Sequence, residues 1–135
     1  MEQILKDYDG RVRLVFKDRP LDIHPLARPA HEAARCAGAQ GRYWPYHDLL
    51  FEKQPAFRHP DLLAYAAVVG VDRAAFARCV DEHRFAPDVG ADLEQAVALG
   101  VFSTPTLFVN GRRIEGLVTA EELRRIVEDA LKAPR

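Results

Sequence analysis

The 135-residue chain predicts a single α/β domain in which a long block of helices interrupts a small framework of strands and helices. Three observations carry that expectation. The apolar period is 2 over residues 11–17, helical from about Pro25 to Leu99, and 2 again after Thr106. Proline and glycine punctuate the middle block where helices start and stop. Asn110-Gly111 stands between two four-residue extended runs, and a capping box follows at Thr119-Ala120-Glu121-Glu122.

At the N-terminus Ile4, Leu5 and Tyr8 share a helical face and Gly10 can supply a left-handed C-cap, so residues 2–9 read as the last turns of a helix. Arg11–Lys17 alternates, with Val12, Leu14 and Phe16 on one side and charge mostly on the other, which predicts a half-exposed edge strand. Four or five helices are expected next. Alanine-rich residues 26–38 end at Gly38, residues 44–53 open with Pro45 in the first turn, and a shorter helix follows Pro60. Val71, Asp72 and Phe76 read as a hydrophobic residue, an N-cap and a staple partner. Residues 87–99 carry Val89, Leu93, Ala96 and Val97 before a terminal Gly100. Thr106–Val109 and Arg112–Glu115 flank Asn110-Gly111, residue types that supply the two positive φ angles of a type I′ hairpin. Leu123, Ile126, Val127, Ala130 and Leu131 then fall on one face, so the chain closes with a helix packed on a sheet.

Composition excludes several classes of function. Nineteen Lys plus Arg against twenty Asp plus Glu, with the signs interspersed, leave no basic face for nucleic acid or an anionic membrane surface. No apolar run approaches the ~18 residues of a membrane span. Met1–Asp7 has neither the charged start nor the apolar stretch of a signal peptide, so as written the polypeptide is expected to stay where it is made. His24, His31, His47, His59 and His83 lack metal-ligand spacing, and no metal or other cofactor is expected. There is no phosphate-binding glycine loop and no serine-histidine-acid pattern. Tyr43, Trp44, Tyr46 and Phe51 either line a peptide groove or fill a core.

The order of elements, with Thr104-Pro105 directly before an apolar strand, resembles the DsbA-like branch of the thioredoxin fold: disulfide oxidoreductases with an inserted helical domain. The resemblance extends over nearly the whole chain, including Arg35-Cys36-Ala37, Trp44–Phe51 and Phe76–Val80. It implies one domain over residues 1–135, with 1–24 and 100–135 as the thioredoxin core and 25–99 as the helical insert. The first β-strand and the start of the first helix are then missing from this chain.

In such proteins a Cys-x-x-Cys at the N-terminus of the first helix holds a thiolate, favoured there by the helix dipole. No Cys-x-x-Cys occurs here, so no catalytic residue is expected within the chain. The resemblance implies that Thr104 and Pro105 form the family's cis-proline loop and bind an extended polypeptide; a trans proline that merely opens a strand is the alternative. It implies a thiol-disulfide oxidoreductase relative that is inactive in this form, against the alternative of a non-catalytic peptide-binding or scaffold protein. Glutathione-dependent isomerase relatives fit less well, since Glu115-Gly116-Leu117-Val118 stands where they carry Phe-Trp-Gly.

Relatives in this branch often bridge the helices that carry Cys36 and Cys79, which implies a structural disulfide in an oxidising compartment; two separate buried thiols are the alternative. Family members are typically periplasmic or extracytoplasmic. In the parent fold the first strand lies between the strands matching residues 11–17 and 106–109. Losing four or five buried apolar side chains there removes roughly 10 kcal/mol, comparable with a whole domain's ~5–15 kcal/mol. A homodimer, a strand-exchanged oligomer or a re-pairing of the two flanking strands is therefore expected.

Overall fold

The computed structural model describes residues 1–133. The chain divides into two compact units, one of Met1–Lys17 with the chain from Gly100 onward, the other of Asp18–Leu99. The element order is α1 (Glu2–Asp7), α2 (Ala27–Gly38), α3 (Tyr43–Lys53), α4 (His59–Val69), α5 (Arg73–Asp81), α6 (Ala86–Ala98), β1 (Thr106–Val109), β2 (Arg112–Glu115) and α7 (Ala120–Lys132).

All regular elements of the unit of Asp18–Leu99 are helices. Its organising element is α2, which packs against α3, α4, α5 and α6. Ala30, Ala33, Ala34 and Ala37 are buried on it, and side chains this small let neighbouring helices approach closely while keeping the highest helix propensity. Larger groups fill the remaining space. Tyr46 and Phe76 are both fully buried with ring centroids 5.5 Å apart. The Tyr46 hydroxyl donates to the Leu62 carbonyl at 2.9 Å, which satisfies the one polar atom that ring takes into the core. Asp72 caps α5 by accepting from the Ala75 N–H at 2.7 Å, and Val71 and Phe76 meet in the same core.

The other unit holds α1, the hairpin and α7. β1 and β2 pair antiparallel, with Leu107 opposite Ile114 and Phe108 opposite Arg113. At the turn Asn110 has φ 47° and Gly111 has φ 85°, the left-handed pair that a type I′ connection needs. Thr119 opens α7 by accepting from the Glu122 N–H at 3.1 Å, while its own N–H donates to the Glu122 carboxylate at 2.8 Å. Ile4, Tyr8, Leu123 and Val127 form the core, with Val12, Leu107 and Val109 packed against it. Asp7 and Arg124 tie α1 to α7 at 2.7 Å.

Two expectations are corrected. α1 stops at Asp7, and residues 8–11 form a turn in which Gly10 takes φ 70°. Residues 12–17 form no strand, and among the described residues β1 pairs only with β2, so re-pairing of residues 11–17 with 106–109 is not formed. The side-chain alternation survives: Val12, Leu14 and Phe16 are half-buried, while Arg13, Val15 and Lys17 are exposed. A period of 2 dictates where side chains point, but a strand ladder also needs a second backbone about 4.8 Å away.

Candidate functional site

The loop from Gly100 to Pro105 leads into β1. Thr104 and Pro105 are both exposed, and the peptide bond between them is cis. Two bonds shape this turn. The Thr106 hydroxyl donates to the Ser103 carbonyl at 2.8 Å, and the Gly116 N–H donates to the Pro105 carbonyl at 2.9 Å. The second extends the hairpin register one step past Thr106–Glu115 and fixes the loop against the end of β2. The backbone N–H and C=O of Thr104 take part in no hydrogen bond among the described residues. An exposed donor and acceptor on one residue, beside a strand, is what an extended chain needs in order to pair with a protein backbone.

Exposed apolar side chains stand close to that residue in the chain or across the hairpin. Phe102 is 69% exposed and Leu117 is 91% exposed, and the Gly116–Pro105 bond brings the segment carrying Leu117 to the loop. Phe108 lies on the sheet face opposite Leu107 and Val109, which pack into the core, and the Arg113 guanidinium stands 5.5 Å from its ring centroid. The hairpin register makes this pair, since a two-residue turn at 110–111 sets 108 against 113.

The other sequence candidates belong to the unit of Asp18–Leu99. Cys36 on α2 and Cys79 on α5 form a disulfide with Cα atoms 5.9 Å apart, deep in the helical unit. They are the chain's two cysteines, so no thiol remains in this sequence to attack a substrate disulfide. Of the aromatic group on α3, Tyr46 is core and Tyr43 is half-buried against it, while Trp44 and Phe51 are exposed with His47 between them at ring distances of 5.1 and 4.9 Å. Among the described residues no three His, Cys, Asp or Glu converge as metal ligands.

One cluster escaped the sequence reading. Asp18, almost fully buried, accepts from Arg35 Nε at 2.5 Å and meets His31 Nδ1 at 2.7 Å, and its own N–H donates to Asp92 at 2.9 Å. Arg35 also reaches Asp92 at 2.8 Å. Burial pushes the Asp18 carboxyl upward, but the hydrogen bonds from His31 and Arg35 and their charges outweigh it and hold the group below its ordinary range. The cluster anchors residue 18 to α2 and α6, and the compact helical unit begins at Asp18. The spacing of His31 and Arg35, four apart on one helix face, was the available signal.

A cis-proline turn, a hairpin and a capped helix in one unit, with a run of helices inserted in the chain between its two parts, fit a thioredoxin-like domain. The thioredoxin family profile matches residues 1–129, and the chain belongs to that family. Among curated relatives, Na(+)/H(+) antiporter NhaA 1 of Salinispora arenicola is 38% identical over 136 aligned positions, which cover all of this chain and 21% of that protein. Na(+)/H(+) antiporter NhaA 3 of Salinispora tropica is 39% identical over the same span. Na(+)/H(+) antiporter NhaA of Herminiimonas arsenicoxydans is 36% identical over 117 positions, 87% of this chain and 19% of its own length. The chain thus spans about a fifth of the length of the curated relatives it matches. No helix among the described residues is long and apolar enough to cross a membrane.

Proposed function

We propose that this chain is a DsbA-like member of the thioredoxin family that docks extended polypeptide at Thr104 and Pro105 and carries out no thiol exchange by itself. The observation that carries the reading is the exposed, unbonded backbone of Thr104 at the entry to β1, held in place by the Gly116–Pro105 bond. An extended chain laid against it would add backbone hydrogen bonds, with Phe102 and Leu117 offering apolar contact. The redox step of the wider family needs a reactive thiolate. Both cysteines here are consumed in a bridge between α2 and α5, so that step is assigned outside this sequence. In a protein of the relatives' length, the domain would present polypeptide to a partner or to another part of the same molecule. Ion antiport, named for those relatives, is not assigned to this domain.

Titrating the isotope-labelled chain with carboxymethylated insulin B chain tests the reading. Amide shifts are expected at residues 102–106 and 116–117, together with no turnover above background in an insulin-reduction assay. Shifts confined to the helical unit would overturn the docking site, and reductase turnover would overturn the non-catalytic assignment.

A further inference from the structure

We infer that Arg113 reads an acidic side chain on the docked polypeptide, so that the loop prefers a chain with a carboxylate about three residues from the point where it meets Pro105. The inference rests on the docking reading above and adds a substrate class to it.

Arg113 is held in place but not used up. Its guanidinium lies over the Phe108 ring at 5.5 Å, and Nη1 donates to the Gly100 carbonyl at 3.4 Å and to Glu115 at 3.3 Å. Both bonds are at the long end of the hydrogen-bond range and come from one nitrogen, so Nη2 and Nε lie outside the described hydrogen bonds. The side chain is 35% exposed and its Glu115 partner 62% exposed. A surface ion pair of that kind is worth little, and an incoming carboxylate can replace it.

The surroundings suit a carboxylate on an otherwise apolar chain. A Cβ placed on Gly100 would stand 3.8 Å from both terminal guanidinium nitrogens and 3.9 Å from the Phe102 ring, so the cation and this exposed ring flank the same backbone position. A guanidinium already stacked on an aromatic loses little freedom when it takes up a carboxylate, and its planar fork matches two oxygens at once. Along β1, Phe108 is three residues beyond Pro105, roughly 10 Å at ~3.3 Å per residue. Three residues of an extended peptide span the same distance. With a net charge of −1 the whole molecule does not attract acids over distance, so the preference should reside in the lifetime of the complex rather than in its rate of formation.

The test uses the full chain and three fluorescein-labelled, unstructured peptides that are identical except for Glu, Gln or Lys three residues from a Leu-Val pair. Binding is read by fluorescence polarisation. The Glu peptide is expected to bind about fivefold tighter than the Gln peptide, with the Lys peptide weakest. Arg113→Gln should make the Glu and Gln peptides equal, Arg113→Glu should favour Lys, and Arg113→Lys should keep part of the Glu preference. Far-ultraviolet circular dichroism checks that each variant is folded. Equal binding of the three peptides to the parent chain, or a Glu preference that persists in Arg113→Gln, overturns the inference and leaves the docking site standing. Failure of all three peptides to bind overturns the docking reading and this inference together.

Discussion

Replacing both cysteines, Cys36→Ala with Cys79→Ala, should cost the chain about a third or more of a typical domain's stability. The bridge joins residues 43 apart, and closing a loop of that length removes roughly 4 kcal/mol of chain entropy from the unfolded state at 25 °C. The lost sulfur atoms act in the same direction, because both side chains are buried in the α2–α5 core, and the small cavity adds about 1 kcal/mol. The entropic part dominates. Unfolding entropy of about 2.1 cal/mol/K per residue gives roughly 0.28 kcal/mol/K for 135 residues, so 4 kcal/mol corresponds to a fall in Tm of about 14 °C. Thermal melts followed at 222 nm, without reductant, measure it. Dithiothreitol added to the parent chain should bring its melt down to nearly that of the double variant, and thiol titration of the denatured, unreduced parent should find none. A double variant melting within about 3 °C of the parent, or two titratable thiols in the parent, would refute the reasoning.

Three further outcomes are expected. Asp18 has its carboxyl held below the ordinary range in the folded state, so its contribution to stability is present above the unfolded pKa of ~3.9 and is lost as pH falls through the lower folded value. Urea titrations should therefore show Asp18→Asn destabilised on the order of 2 kcal/mol at pH 7, with a shallower acid limb than the parent. Phe76→Ala empties a fully buried position beside Tyr46 and should cost about 3–5 kcal/mol, read from the same titrations with the slope unchanged. The edge of β1 that does not face β2 predicts self-association, and sedimentation equilibrium that fits a monomer at 100 µM would remove that expectation.

What the sequence made legible was what neighbouring residues decide among themselves. Asn110-Gly111 sets two φ angles and with them the whole register, including Phe108 against Arg113, a pairing that can be counted out from the turn. Thr119 and Glu122 fix the start of α7, and Asp72 fixes the start of α5, by bonds spanning three residues. The disulfide stayed between alternatives because whether Cys36 meets Cys79 depends on how α2 docks on α5, which no local pattern states. Asp18 and Asp92 are 74 positions apart and converge only because α2 and α6 pack together, so their shared Arg35 could not be foreseen from spacing, although His31 and Arg35 on one face hinted at a partner.

Residues 12–17 show the limit from the other side. Their alternation holds in the burial of their side chains, yet they form no strand, because a strand is a relation between two backbones and the pattern describes one. The same distinction separates the two halves of the proposed function. The docking turn is assembled from residues 103–106 and one bond to Gly116, all within the reach of the hairpin, so a short stretch of sequence suffices to expose the Thr104 backbone. A thiolate to act beside it would have to come from outside this sequence, and residues 100–119 contain no cysteine to supply one. The proposed binding therefore rests on residues of the loop itself, and the reactive thiolate is the part that this loop does not supply.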